Sequence, residues 1–103
     1  MTIELDSRAV PLLEGALELA AAGMLTSGDK TNREYLGADV AIAPSVDVNV
    51  VRLLFDPQTA GGMLIAVPED RAGALLRRLR ENYPRAEIIG RVSPRGSHSL
   101  VVS

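Results

Sequence analysis

Two polar segments carry the side chains that could do chemistry. The first is Asp56-Pro57-Gln58-Thr59-Ala60-Gly61-Gly62, which runs directly into Met63-Leu64-Ile65-Ala66-Val67-Pro68. An Asp before Pro starts a turn or an extended stretch, and its carboxylate can accept hydrogen bonds from the backbone amides ahead of it. Thr59 adds a hydroxyl, while Gly61 and Gly62 permit positive φ and the close approach of a ligand or a second backbone. The same residues also read as a tight helix-to-strand connection whose glycines serve packing. On residue types alone that plainer reading comes first, because a glycine pair without a basic residue is a weak phosphate signal. The second segment is Thr26-Ser27-Gly28-Asp29-Lys30-Thr31-Asn32, a polar loop that either faces an anion or simply connects two elements in solvent.

The remaining chemistry-bearing residues point elsewhere. His98 is the one histidine and has no partner nearby in sequence, so it reads as a surface turn residue. Arg71, Arg77, Arg78 and Arg80 read as the solvated face of a helix, some of them complementing its C-terminal dipole. Glu14 and Glu18 stand four apart, on one helix face, which gives no general-acid geometry. No residue of the chain reads as catalytic, and none as a metal ligand.

These segments need elements to hold them. Val10, Leu13, Leu17, Ala20, Ala21 and Met24 recur at helical spacing, which predicts a helix over 9–22. Leu12, Ala16 and Leu19 widen its apolar surface, so it should be covered on more than one side, and Gly23 supplies a stop. A short helical turn is expected at 33–36, ended by Gly37, then a strand over 40–43 closed by Pro44. Asp47 can cap a second helix, with Val48, Val51 and Leu54 or Phe55 on its inner side. The apolar run 63–67 predicts a strand buried on both faces, with Leu64 and Ile65 buried on opposite sides. Pro68-Glu69-Asp70 marks a third helix, and Ala72, Leu75, Leu76, Leu79 and Tyr83 give it an apolar stripe that Pro84 ends. Strands are expected over 86–92 and 99–102, joined as a C-terminal hairpin. The order is α-β-α-β-α-β-β, with a right-handed crossover over 63–92. The fold class is α+β: a small four-stranded mixed sheet flanked by helices.

Composition narrows the function classes. With 103 residues the chain reads as one domain, and 47% hydrophobic content argues against disorder. Aromatics are 3%, so the core must be aliphatic. A net charge of −2 with no basic half argues against a nucleic-acid partner. No cysteine is present, which removes disulfides, thiolate metal sites and a cysteine nucleophile. Residues 1–5 lack the start of a signal peptide, and Glu14 and Glu18 interrupt the most apolar stretch, arguing against a membrane span. The expected setting is soluble and cytoplasmic.

Asp56-Pro57-Gln58-Thr59-Ala60-Gly61-Gly62-Met63-Leu64-Ile65-Ala66-Val67-Pro68 resembles the D-P-Q-T-S/A-G-G-L-L-I-A-V-P segment of the selenophosphate synthetases (selenide, water dikinases). The likeness extends along the chain in the family's order. Val10-Pro11-Leu12-Leu13-Glu14-Gly15-Ala16-Leu17-Glu18-Leu19-Ala20 is similar to the family's first C-domain helix. Asn32-Arg33-Glu34-Tyr35-Leu36 is similar to the stretch after its glycine loop, and Ile89-Gly90-Arg91-Val92 to its I-G-x-V strand. The family usually has G-G-T-R-R-N before its Tyr-Leu. Here Gly28 and Asn32 match, Asp29 replaces the threonine, and Lys30-Thr31 replace two arginines. Lysine offers a point charge in place of arginine's bidentate fork, and the added Asp repels an anion, which weakens a phosphate or selenide role for this loop.

The resemblance implies the C-terminal domain fold of the aminoimidazole ribonucleotide synthetase superfamily. It also implies an enzyme that makes selenophosphate from selenide, ATP and water, releasing AMP and phosphate. In such an enzyme the glycine-rich loop, the Cys or Sec, the lysine and the metal-binding aspartates lie in an N-terminal domain. That domain is the expected partner, a homodimer is compatible with the reading, and ATP and Mg²⁺ are expected for the full-length enzyme. The cleft or ligand-loop candidates are Asp56, Gln58, Thr59, Gly61, Gly62, Gly28 and Asn32. This chain alone should be inactive. Two other readings stay open: a stand-alone binding module reusing the fold, and a domain of another superfamily member from purine or thiamine-phosphate synthesis.

Overall fold

The computed structural model describes residues 1–103. Its strands are β1 (Thr2–Leu5), β2 (Val40–Ile42), β3 (Gly90–Ser93) and β4 (Leu100–Val102). Its helices are α1 (Ala16–Ala21), α2 (Gly28–Leu36), α3 (Val48–Leu54) and α4 (Glu69–Arg80), with a 3-10 turn at Gly37–Asp39. The strands make one four-stranded sheet in the order β2-β4-β1-β3. β1 runs parallel to β4 and antiparallel to β3, and β2 runs parallel to β4, so the sheet is mixed and the fold is α+β.

The sheet uses a different strand set from the one the pattern predicts. β1 is central, although Thr2-Ile3-Glu4-Leu5 alternates polar and apolar over too few residues to stand out. It lies between β3 and β4, so these two do not form a hairpin. The connecting loop is tied to β1 instead: the Thr2 hydroxyl donates to the His98 carbonyl at 2.6 Å and accepts from the Gly96 amide at 2.8 Å. Thr2 is 4% exposed.

The run 63–67 forms no strand, and the crossover expected over 63–92 is therefore absent. Leu64 is 61% exposed and Ile65 46%, against the expectation that both are buried. A continuous apolar run reports that a segment is suited to burial; it does not report that the cover lies within the same 103 residues. The observed element order is β-α-α-β-α-α-β-β.

The helices follow their punctuation. α1 is shorter than 9–22 because Gly15, at φ 79°, starts it late, and Pro11 has no amide to give an earlier turn. Gly23, also at φ 79°, stops it. Expected to be covered on several sides, α1 buries only Ala20 and leaves Leu19 half exposed. Residues 28–32, read as a loop, extend the expected turn at 33–36 into the nine-residue α2. Lys30 and Glu34 pair across one turn of it at 3.8 Å, and Asp29 complements its positive end. The Asp47 carboxylate caps α3, accepting from the Asn49 amide at 2.7 Å and the Val50 amide at 3.3 Å. α4 begins after Pro68 as expected, with Ala72, Leu75, Leu76 and Leu79 along its half-buried side.

α1 and α3 pack on each other. The buried side chains are Ala20 on α1, Val51 on α3, and Thr2 and Val102 in the sheet. The accessible surface is 7765 Å². A free-standing monomer of 11.0 kDa has roughly 5,600 Å² by size scaling. The radius of gyration, 14.5 Å, likewise exceeds the roughly 13 Å of an independent domain of this length. No helix is long and apolar enough to cross a membrane.

Candidate functional site

The two segments singled out from the sequence meet in space. α3 ends at Leu54, and Phe55 and Asp56 carry the chain into the 56–62 loop. The N-terminal half of α2 lies against that exit. The Asn32 side-chain amide donates to the Phe55 carbonyl at 2.9 Å, satisfying an acceptor at the C-cap of α3. The Thr26 hydroxyl, two residues before α2 begins, donates to Asp56 Oδ1 at 2.7 Å. Gly28 faces Pro57 so closely that a Cβ there would stand 2.4 Å from Pro57 Cγ. The Arg33 guanidinium lies 5.9 Å from the centre of the Phe55 ring. Beside these contacts is an open groove of about 260 Å³ lined by Asn32, Tyr35, Leu36, Leu54, Phe55 and Asp56.

Gly28, Asn32 and Asp56 are thus brought together at the root of the loop. Gln58, Thr59, Gly61 and Gly62 form its exposed tip. Two local expectations are corrected. Asp56 bonds to the Thr26 hydroxyl across the chain, not forward to amides of its own turn. Gly61 and Gly62 have no positive φ. A Cβ at 61 would lie 2.8 Å from Gln58 Oε1, the movable end of an exposed side chain, so a side chain there would displace Gln58 without meeting backbone. Thr26, Tyr35 and Phe55 read from the sequence as a loop residue, part of the family-like stretch and a helix's inner side, with no site role. Phe55, the single phenylalanine of the chain, at the junction of helix and Asp-Pro turn, was the available signal.

The electrostatics argue against an anion seat at the start of α2. The Asp29 carboxylate already occupies the first turn, accepting from the Lys30 amide at 2.6 Å, and Lys30 turns to Glu34. The strongest charge networks lie on the sheet instead. The Arg91 guanidinium, donating to Glu4 at 2.8 Å, and then the Ser93 hydroxyl at 2.9 Å hold the Glu4 carboxyl below its usual range. The Ser99 hydroxyl and amide, with Arg95, hold Asp39 low in the same way. A larger groove of about 410 Å³ runs beside β1 and β3, past Glu4, Asp6, Ile89, Gly90 and Arg91. Its carboxylates are committed to Arg91, Ser93 and Arg8, which leaves it little with which to hold a ligand.

No three His, Asp or Glu side chains converge as they would around a metal ion. His98 is half-buried, its carbonyl taken by Thr2. Arg80, expected to be solvated, bonds Glu87 at 2.6 Å and the Ala86 carbonyl at 3.0 Å.

A mixed α+β sheet with a helix-rooted Asp-Pro loop defines a domain that presents a loop. The family described as AIR synthase related protein, C-terminal domain, matches residues 1–103, and the chain belongs to it. Among curated proteins, it is 39% identical over 103 residues to selenide, water dikinase of Clostridioides difficile, covering 99% of this chain and 30% of that protein. It is 43% identical over 103 residues to selenide, water dikinase of Caldanaerobacter subterraneus subsp. tengcongensis, again covering 99% of this chain and 30% of the relative. The Treponema denticola protein of the same name is 38% identical over 108 residues, covering all of this chain and 30% of the relative. The chain therefore spans about 30% of the length of these relatives.

Proposed function

We propose that this chain acts as the C-terminal domain of a selenide, water dikinase, providing one wall of the cleft between two domains and no turnover by itself. The observation that carries this reading is a match along the whole chain to relatives of which it spans about 30%. The physical features agree with it. The loop most similar to the family is rooted on α2 and exposes Gln58, Thr59, Gly61 and Gly62. The excess surface of the chain suits a domain that packs against another.

In this reading the N-terminal domain binds ATP and carries the reacting groups. The acidic residues here do not fit a Mg²⁺ site: Asp56 is engaged by Thr26, Asp39 by Arg95 and Ser99, and Glu4 by Arg91. The metal belongs to the partner domain, and no step is assigned to it here. The chain contributes position. Loop 56–62 closes the cleft wall over the reacting phosphate chain, and the exposed apolar surface is where the N-terminal domain sits. The setting is cytoplasmic, and homodimerisation would involve the complete protein.

The test joins this chain to the rest of the Clostridioides difficile relative, in place of the matching segment, and measures selenide-dependent AMP formation. Gly61→Ala in that protein should lower turnover well beyond its loss of thermal stability, because the added Cβ displaces Gln58 at the loop tip. A lowered melting temperature with normal turnover at low temperature would make the glycine a packing residue and remove the cleft role.

A further inference from the structure

We propose that Thr26, Gly28 and Asn32 are positioning residues, a three-point clamp that fixes Phe55, Asp56 and Pro57 so that the 58–62 tip is held out in one direction. Three consecutive residues are held by three residues of one short segment, each by different physics. Asn32 donates to the Phe55 carbonyl at 2.9 Å and so caps α3 from outside its own helix. Thr26 donates to Asp56 Oδ1 at 2.7 Å, a bond across 30 residues of sequence. Gly28 supplies the absence of a side chain: a Cβ would stand 2.4 Å from Pro57 Cγ and 3.1 Å from Pro57 Cδ. Proline fixes its own φ, so holding its ring sets the direction in which the chain leaves the clamp.

Beyond Pro57 the character changes. Gln58, Thr59, Gly61 and Gly62 are all exposed. A rigid root with an uncovered tip is the arrangement by which a scaffold presents a loop in one geometry, lowering the entropy lost when something binds it. The clamp also accounts for the matching glycine and asparagine without an anion. Asn32 spends its donor on a carbonyl, Gly28 is a gap for a proline ring, and Asp29 occupies the helix start.

This inference rests on the cleft reading only for its effect on turnover; the clamp itself is a statement about loop order. The experiment therefore reads both in the joined protein described above. Thr26→Val keeps shape and removes the donor, Asn32→Asp keeps shape and removes the amide, and Thr26→Ser keeps the hydroxyl. Amide hydrogen exchange at Phe55 and Asp56, whose amides close the last turn of α3 on the Val51, Arg52 and Leu53 carbonyls, should rise by about tenfold in Thr26→Val and Asn32→Asp, the effect of losing one side-chain hydrogen bond. Exchange in β1 and β4 should stay unchanged, and Thr26→Ser should restore protection. Turnover should fall by a similar factor of about ten while KM for ATP moves by less than about twofold, because a mispositioned loop lowers kcat without removing an ATP contact. Unchanged exchange at Phe55 and Asp56 in both variants overturns the clamp. A raised KM with unchanged exchange also overturns it, because the residues would then be ligands. Faster exchange with normal turnover supports the clamp and removes the cleft role instead.

Discussion

Asp39 and Glu4 show how single residues hold the sheet together. Asp39, at the end of the 3-10 turn, accepts from the Ser99 amide at 3.0 Å and from Arg95 at 2.8 Å, binding the start of β2 to the loop before β4. Glu4 on central β1 binds Arg91 and Ser93 on β3. Both carboxyls are held below their ordinary values by these donors. A folded-state value below the unfolded one contributes stability that is present above the unfolded value and is lost as pH falls through the folded one. Unfolding free energy should therefore hold between about pH 7 and 5 and decline as pH drops through about 4, the ordinary carboxylate value. Asp39→Asn should flatten part of that decline. Urea titrations across pH check this, and stability that is constant or rising as pH falls from about 5 to 3 contradicts it. Asp47 offers a cleaner single-residue test. Its carboxylate satisfies two orphan amides of α3, so Asp47→Ala should cost about 1 kcal/mol and Asp47→Ser much less. Equal midpoints for the two variants would show that the cap contributes nothing.

Gly90 sets the register of an element. It sits opposite Leu5 in the β1–β3 ladder, and a Cβ there would lie 2.0 Å from the Glu4 carbonyl oxygen. Backbone cannot yield as a long side chain can, so Gly90→Ala should cost roughly 1–3 kcal/mol by overpacking. A chemical-denaturation midpoint equal to that of the parent would mean the strands sit further apart than described. By contrast, Leu64→Ala should change the stability of the chain by no more than about 0.5 kcal/mol, because its side chain is 61% exposed. The two positions show what was legible in the sequence and what was not. Capping and stop residues act within a few positions of themselves, so Asp47, Pro68, Gly23 and Gly37 mark helix boundaries that the structure keeps. Strand pairing depends on partners far along the chain. Nothing local to 2–5 reveals that it takes the central place between 90–93 and 100–102, and nothing local to 63–67 reveals that it stays exposed. The candidate site divides the same way. Asp56, Gly28 and Asn32 were recognisable one by one, but the contact between their segments is tertiary, so the part that Thr26 and Phe55 play in it stayed hidden.

For the molecule as a whole, the defining quantity is uncovered surface. The chain exposes 7765 Å², well above the roughly 5,600 Å² of a self-sufficient monomer of its mass. Large apolar side chains are among those exposed: Met63 is 86% exposed, Leu13 72%, Met24 69% and Leu64 61%. In the proposed reading this surface is where a second domain packs. It is also consistent with a chain that spans about 30% of its relatives. In the proposed reading the chain is a wall and a loop for chemistry performed in another domain, and selenide-dependent AMP formation measured on three purified proteins is the direct test. These are the 103-residue chain, the rest of the Clostridioides difficile relative without its matching segment, and the two joined. AMP above the no-selenide background should come from the joined protein alone. AMP formed by the isolated chain, or by the remainder as fast as by the joined protein, would contradict it.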